Sequence, residues 1–209
     1  MNDSPGSPQE RYEQRLRRPS SAEQLRARLV AAEQQNFADA LSRLADDPFL
    51  IEAAASLVAA RRRFVLGAGR SRALAALAAA DLAAGLAQVV LIDGAANRAI
   101  DVLGDVRDTD VLLALSFRRY DGTTLAIAEE FAAEGGTVIG VADDAEAPIA
   151  RLAQCTIVVP TASASSADSP TAIASAIHLL STLTIASAKG ARRRLQNRER
   201  LRDLLQDPR

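Results

Sequence analysis

Between residues 64 and 159, five short runs of apolar residues alternate with longer stretches that have helical spacing. Short β-branched or leucine runs that are apolar on both faces predict strands of a parallel sheet covered by helices. The predicted strands are residues 64–66, 88–92, 110–115, 137–141 and 155–159, and the predicted helices between them are residues 71–85, 95–103, 123–134 and 147–152. This alternation predicts a three-layer, doubly wound α/β fold with a five-stranded parallel sheet, preceded by two helices.

The residues outside this alternation predict a helical extension, a closing helix and two tails. Ser21 begins a helical pattern that breaks near Pro48, a second short helix follows, and residues 170–189 form another helical stretch. The predicted organisation is a disordered tail, a helical extension, an α/β domain and a basic tail, over residues 1–20, 21–60, 61–190 and 191–209 respectively.

Two apolar stripes on the outer helices are expected to lie at a dimer interface, because one α/β layer leaves them little else to cover. The stripe on the first helix is Leu25, Leu29, Phe37, Leu41 and Leu44, and the stripe on the last is Ile173, Ile177, Leu180 and Thr184. We therefore expect a homodimer or a higher oligomer.

Composition excludes several classes of protein. Lys and Arg (25) nearly balance Asp and Glu (26), so no overall field favours nucleic acid or a membrane surface. One cysteine and one histidine exclude a Cys/His zinc site and an intrachain disulfide. No signal-peptide core is present, and no apolar run reaches the roughly 20 residues of a membrane span. We expect a cytoplasmic protein that binds no metal or cofactor, with Cys155 in the core and Arg61–Arg63 at a solvated approach to the first strand.

The most informative segment runs from Phe64 through a glycine turn into an alanine-rich helix. Its turn contains Gly67, Gly69, Arg70 and Ser71. The amide groups of such a turn and of the helix that follows attract anions, the arginine adds charge, and Ser71 can cap the helix. In open α/β sheets, ligands bind at the carboxyl ends of the strands. The segment therefore predicts a site for a small anionic molecule.

Two further polar loops follow the third and fifth predicted strands and would reach the same edge of the sheet. Hydroxyls and backbone amides suit phosphate and sugar oxygens, and arginine suits phosphate. The candidate ligand-binding residues in these loops are Ser116, Arg118, Tyr120, Thr123 and Thr124 in the second and Ser165, Ser166 and Ser169 in the third.

Residues 62–190 resemble a sugar isomerase domain, and most closely the effector domain of RpiR-like bacterial transcription regulators. The resemblance is carried by Leu66-Gly67-Ala68-Gly69-Arg70-Ser71, by Ser116-Phe117-Arg118-Arg119-Tyr120, and by Val159-Pro160-Thr161 with Asp168-Ser169. It implies a flavodoxin-like domain, with strand order 2-1-3-4-5, that senses a sugar phosphate or a similar anionic metabolite as a homodimer. Such regulators begin with a helix-turn-helix domain, whereas only about 20 polar residues precede the first helix here, so we expect no direct DNA binding.

One residue departs from the superfamily pattern in the second loop. That loop reads Ser-x-Ser-Gly-x-Thr/Ser in the wider superfamily and cradles phosphate, but here Asp121 stands where a hydroxyl is usual. A carboxylate would repel a phosphate unless Arg118 pairs with it. The departure leaves open whether the ligand is phosphorylated.

Three other interpretations stay open. An aldose–ketose sugar-phosphate isomerase would need a base, for which His178 is the weak candidate, although its apolar neighbours favour a packed or interface histidine. Gly67-x-Gly69 with Asp93 faintly resembles a dinucleotide site, but Arg72 stands at the third glycine position. The chain could also act as a dimerisation partner of a full-length RpiR-like regulator.

Overall fold

The computed structural model describes residue 13 and residues 21–206, and it contains one five-stranded sheet within this range. Two helices come first, and helices α3 to α5 and a short 3₁₀ helix alternate with the strands. The elements are α1 (Ala22–Ala45), α2 (Pro48–Ala59), β1 (Arg63–Leu66), α3 (Ser71–Gly85), β2 (Val89–Leu91), α4 (Ala99–Leu103), β3 (Val111–Leu115), α5 (Gly122–Ala133), β4 (Thr137–Ala142), the 3₁₀ helix (Pro148–Arg151), β5 (Cys155–Val158), α6 (Thr171–Ser187) and α7 (Ala191–Gln206).

All strand pairs are parallel, and their order is β2-β1-β3-β4-β5, which confirms the predicted fold class. Strands β1 and β3 are neighbours, with Leu66 opposite Ala114. The chain leaves β1 towards β2 on one side and β3 towards β4 on the other. The carboxyl ends of β1 and β3 therefore form the switch point at which open α/β sheets bind ligands.

Helices cover both faces of the sheet. Successive side chains of a strand point to opposite faces. Phe64 and Leu66 belong to a core with Val102 of α4 and Phe131 of α5, and the rings of Phe64 and Phe131 meet edge to face at 5.7 Å. Val65 lies between them in sequence and is completely buried on the other face, where α3 packs against β1, β2 and β3.

By internal contacts the chain forms two compact units. One, the α1 unit, comprises α1, the segment after β5 and the start of α6, and its described residues are 21–46 and 159–176. The other, the sheet unit, contains the five strands, and its described residues are 47–158 and 177–206.

In the α1 unit, helix α1 begins with a reciprocal cap. The Ser21 hydroxyl accepts the Gln24 N–H at 3.2 Å, and the Gln24 side chain accepts the Ser21 N–H at 3.1 Å. The buried residues of this helix are Asn36, Ala40 and Leu44. Of the predicted stripe only Leu44 is buried, because a polar residue, Asn36, occupies the inward face and donates a hydrogen bond to the Ala162 carbonyl.

The approach to β1 is ion-paired and only partly exposed, so its prediction as a solvated segment is wrong. Arg61 and Arg62 both bind Asp110, at 2.8 Å each, and the Asp110 side chain is completely buried. Arg63 is also buried, and its guanidinium donates to backbone carbonyls. An arginine run in a sequence does not reveal a counter-ion that lies 48 residues further on.

The structure tests three further expectations. Ile173, Ile177, Leu180 and Thr184 are all buried within this single chain, so that stripe is not left uncovered as predicted. Cys155 is buried as predicted, and burial raises the pKa of its thiol to about 12, with smaller contributions from Glu52 and Asp47. Helix α4 begins only at Ala99, because the residues before it form a turn around Asp93.

Within the described residues, no single helix is long and apolar enough to cross a membrane, and only α6 and α7 taken together, bent by 108°, satisfy the length and composition of a span.

Alanine at Gly136 is expected to lower the free energy of unfolding by roughly 1–3 kcal/mol. Its Cβ would overlap Cε1 of Phe131 and lie 2.9 Å from Cγ1 of Val106. Phe131 is completely buried against Phe64, so its ring cannot move aside freely. Urea unfolding measures the loss. Gly104→Ala is the control, since the nearest atom to that Cβ is 3.6 Å away. Equal losses in both variants would contradict the steric explanation.

Candidate functional site

The β1–α3 turn is built on two glycines with different constraints. A Cβ on Gly67 would lie 2.8 Å from the Ser71 carbonyl oxygen, so the turn requires glycine for close packing on α3. Gly69 has φ +55°, which favours glycine, and nothing lies within 4 Å of its Cβ position. The turn therefore presents exposed backbone beside open space at the carboxyl end of β1.

The prediction that Ser71 caps α3 is wrong. Ser71 is the first residue of the helix, and its N–H already donates to the Ala68 carbonyl at 3.1 Å. The capping position is taken by Arg70, which makes no side-chain cap. The amino terminus of α3 therefore has no acidic side chain in its first turn and keeps its favourable field for an anion.

The β3–α5 loop ends on Asp121, which caps α5. One oxygen of Asp121 accepts the N–H of Thr123 at 2.9 Å and that of Thr124 at 3.2 Å. These are the amides that an incoming anion would otherwise use at this helix terminus. The carboxylate of the chain itself therefore occupies the amino terminus of α5.

Arg118 does not pair with Asp121. It pairs instead with Asp143 at 3.5 Å and with Asp144 at 3.8 Å, both just after β4. Asp143 also accepts the Arg118 backbone N–H at 3.2 Å, and burial together with the Asp143 carboxylate raises the pKa of Tyr120. Asp143 is the anchor of this loop. Sequence reasoning missed it, since the pairing joins two loops that the sequence separates by 25 residues.

Two hydroxyls in the same loop region have no hydrogen-bond partner. Among the buried side-chain polar atoms that the structure describes, only Ser116 Oγ and Thr124 Oγ1 are unpaired. Ser116 directly follows β3 and Thr124 lies in the first turn of α5; both are almost completely buried. A buried hydroxyl without a partner costs free energy, so a pair of them in one loop calls for an explanation.

The structure brings the first two predicted loops together at one edge of the sheet. Gly67 and Ser116 leave the sheet from the neighbouring strands β1 and β3, at the same edge. Seven of the predicted residues therefore share this edge with Gly67 and Ser116: Gly69, Arg70, Ser71, Arg118, Tyr120, Thr123 and Thr124. Hydroxyls, amides and an arginine at one edge are suited to a polar, oxygen-rich ligand.

The third predicted loop belongs to the α1 unit, where its hydroxyls are used internally. Ser165 Oγ donates to the Ala167 carbonyl at 2.7 Å. Ser169 is buried; its hydroxyl donates to Glu33 of α1 at 2.5 Å and accepts the N–H of Thr171 at 3.2 Å. Ser166 is half-buried. In this unit Ser165 and Ser169 stabilise the loop and its attachment to α1.

The isomerase and dinucleotide interpretations depend on His178 and Asp93. His178 is exposed on α6, so it is not packed within this chain, and of the two expectations for it only an interface position stays a prediction. Asp93 follows β2, and one of its oxygens accepts the N–H groups of Ala95 and Asn97, both at 2.9 Å. These hydrogen bonds hold the pKa of Asp93 below its usual value. A ribose hydroxyl would have to share that oxygen with the turn.

The sequence pattern of one family covers most of this architecture. The SIS domain pattern matches residues 56–183, which include all five strands, both loops of the switch point and most of α6. The chain belongs to the SIS domain family. Among curated proteins, none matches its sequence.

Solved structures with this SIS fold include regulators and sugar-phosphate proteins. The sugar isomerase domain of an RpiR transcription factor from Sphaerobacter thermophilus has TM-score 0.76 and 25% identity, covering 85% of this chain and 99% of that chain. NanR of Vibrio vulnificus, complexed with ManNAc-6P, has TM-score 0.68 and 15% identity, covering 83% and 68%. The c3406 protein of E. coli CFT073, in complex with A5P, has TM-score 0.56 and 17% identity, covering 80% and 91%. The last two share the fold with this SIS domain.

Proposed function

We propose that this SIS domain is a non-catalytic regulatory module that binds a sugar phosphate or a related sugar derivative. The site is the edge where β1 and β3 end. The observation that carries the proposal is the pair of buried hydroxyls without partners, on Ser116 just after β3 and on Thr124 in the first turn of α5. A ligand rich in oxygen would supply the missing hydrogen bonds.

Two structural relatives support a sugar ligand. NanR was solved with ManNAc-6P and the c3406 protein with A5P, and the fold of this chain is similar to both. The similarity to the RpiR sugar isomerase domain supports a sensing role. Binding would act by shifting the population of one conformation or assembly over another.

Binding is favoured over turnover because the edge offers no free base. The segments 67–71 and 116–124 contain neither histidine nor glutamate. Asp121 is engaged in capping α5, and Asp143 is engaged by Arg118 and Tyr120. An isomerase needs a base at the bound sugar.

A panel of ligands tests the proposal. ManNAc-6P, A5P, glucosamine 6-phosphate and the corresponding free sugars are titrated calorimetrically, and the mixtures are then followed by NMR for isomerised product. Saturable binding of one of these ligands without product supports a sensor. Product formation would establish the isomerase instead, and failure of every ligand to bind would contradict the sugar site.

Replacing Thr124 by valine is expected to separate binding from stability. The change removes an unpaired hydroxyl and keeps the shape, so the melting temperature stays equal or rises. Affinity for the ligand that the panel identifies falls about tenfold, which corresponds to about 1.4 kcal/mol. Calorimetry and thermal unfolding provide the two measurements.

Thr184 supplies the matched control for this variant. Its hydroxyl is completely buried but donates to the Leu180 carbonyl at 2.6 Å. Thr184→Val is therefore expected to lower stability by about 1 kcal/mol and to leave ligand affinity unchanged. A Thr124→Val protein that loses stability as Thr184→Val does, and keeps its affinity, would show that Thr124 is structural.

We further propose that two copies of the chain pair through α1. Its residues Val30, Phe37 and Leu41 are exposed at 51%, 42% and 39% in the single chain. Uncovered apolar side chains along one helix are typical of an interaction surface. Sedimentation equilibrium, with and without the ligand, gives the mass of the assembly and its dependence on binding.

A further inference from the structure

A second concave site lies in the sheet unit, away from the switch point. Its volume is about 700 Å³, which is within the range of small-molecule sites. The lining comes from the start of β1, the turn between α3 and β2, the turn between α6 and α7 and the first turns of α7. It lies towards the amino end of β1, whereas the proposed sugar site lies at the carboxyl end. We call it the basic cavity.

The lining of the basic cavity carries positive charge without compensation. Arg63, Lys189, Arg193 and Arg194 line it, and none of the described lining residues is acidic. Within the described part of the chain, Lys189, Arg193 and Arg194 form no ion pair. Cations that converge on one cavity repel each other unless an anion neutralises them.

Arg63 fixes one wall of the cavity. Its guanidinium donates to the carbonyls of Leu57 at 2.5 Å, Val58 at 2.9 Å and Ala87 at 3.1 Å. It therefore joins the end of α2 to the turn between α3 and β2. Arg63 is only 7% exposed, and its hydrogen bonds in the described structure go to carbonyls and not to a carboxylate. Its positive charge is thus held in place beside the cavity.

Another wall of the cavity is the start of α7, whose amino terminus adds a positive electrostatic field that favours anions. Gly190, with φ +83°, turns the chain into this helix, and no acidic residue lies in its first turn. The amino terminus of a helix is a partial positive charge. Arg198 donates to the Ala83 carbonyl of α3 at 2.8 Å and so holds α7 against α3. The cavity is preorganised on both sides.

We propose that the basic cavity binds a small anion with several negative charges, of the diphosphate or triphosphate class that nucleotides carry. Four cations exceed what a single phosphate group neutralises, and a diphosphate spans several donors at once. The concave shape favours a small molecule over a macromolecule, because four segments of the chain surround one cavity. The cavity is a separate site from the proposed sugar site.

Calorimetric titration with inorganic pyrophosphate and with ATP, at physiological ionic strength, tests this site. The full chain is expected to bind pyrophosphate, and Arg193→Gln/Arg194→Gln is expected to bind it at least about tenfold more weakly. The matched control is Arg192→Gln/Arg202→Gln, which removes the same charge from α7 at residues outside the cavity lining. It is expected to keep the wild-type dissociation constant within about twofold.

Two further comparisons distinguish an anion site from a nucleic-acid surface and from a nonspecific effect of charge. Equal weakening in both double variants, or no pyrophosphate binding by the wild type, would overturn the proposal. Binding of duplex DNA, lost equally in both double variants while pyrophosphate fails to bind, would assign α7 to a nucleic-acid surface instead and also overturn it. Thr124→Val changes the proposed sugar site and is expected to leave pyrophosphate affinity unchanged. The test of the basic cavity is therefore independent of the test of the sugar site. Thermal unfolding confirms that each variant folds.

Discussion

Replacing Asp121 by serine is expected to strengthen the binding of inorganic phosphate and of sugar phosphates by about tenfold or more, about 1.4 kcal/mol. In the wild type, the Asp121 carboxylate accepts the N–H groups of Thr123 and Thr124 and so fills the amino terminus of α5. Serine caps helices nearly as well as aspartate. The variant therefore keeps the helix and loses the like charge, and a phosphate can displace the neutral hydroxyl from the amides of Thr123 and Thr124.

A matched variant and a comparison of ligands make this prediction specific. Asp108→Ser removes the same charge at an exposed residue before β3, at the other edge of the sheet, and is expected to leave phosphate affinity unchanged. Calorimetric titration of wild type and both variants gives the affinities for each sugar phosphate and its free sugar. If Asp121→Ser binds phosphate no more tightly than wild type, the carboxylate does not block this terminus and phosphate is held elsewhere.

The outcome also decides the class of ligand. A wild type that prefers the free sugar, together with a variant that prefers the phosphate, would show that Asp121 selects against phosphate. A wild type that already prefers the phosphate would place that group near the glycine turn and Arg70, at the amino terminus of α3. That helix has no acidic residue in its first turn.

The sheet was predictable because each strand carries its own local signal. Short two-sided apolar runs followed by turn residues predicted all five strands to within one residue at each end, and the resemblance to a flavodoxin-like domain predicted their order. Helix α3 follows a glycine turn and has the predicted bounds, Ser71–Gly85. The start of α4 was less accurate, because the residues after Asp93 have helical composition but are held in a turn by that carboxylate.

Partnerships between distant side chains were not predictable from one sequence. From the sequence, Arg118 was expected to bind phosphate or to pair with Asp121, three residues away. In the structure it pairs with Asp143, just after the next strand. Ser169 fits a ligand-binding loop by sequence, yet it caps the following helix and binds Glu33 of α1. In each case a polar side chain is satisfied by a residue that only the fold brings near.

The buried carboxylate of Asp110 is expected to give the largest stability effect of any single charge. Replacing it by asparagine should lower the free energy of unfolding by about 3 kcal/mol, since the buried carboxylate accepts several charge-assisted hydrogen bonds that a neutral amide keeps only in part. For a chain of this size that is roughly 6–12 °C in melting temperature. Asp110 is held by Arg61 and Arg62, at 2.8 Å each, and by the N–H of Arg107 at 3.1 Å.

Asp105 provides a control that shares the same arginine. Its carboxylate lies 2.8 Å from Arg62, as Asp110 does, but its side chain is 56% exposed and that of Asp110 is 0% exposed. An exposed pair contributes about 0–1 kcal/mol. Asp105→Asn is therefore expected to lose at most about a third of what Asp110→Asn loses. Similar losses would show that burial does not decide the strength of these pairs.

The pH dependence gives a second measurement of the same interaction. Burial alone would raise the pKa of Asp110, but the hydrogen bonds from Arg62, Arg61 and the Arg107 N–H outweigh it and hold the pKa below its usual value. A carboxyl whose pKa is depressed in the folded state stabilises the fold above its unfolded pKa, near about 3.9, and that stability is lost as pH falls through the folded pKa. The difference in unfolding free energy between wild type and Asp110→Asn is therefore expected to be constant from neutral pH to about pH 4 and to shrink below it. A difference that persists unchanged in strong acid would mean that Asp110 stabilises through packing and not through its charge.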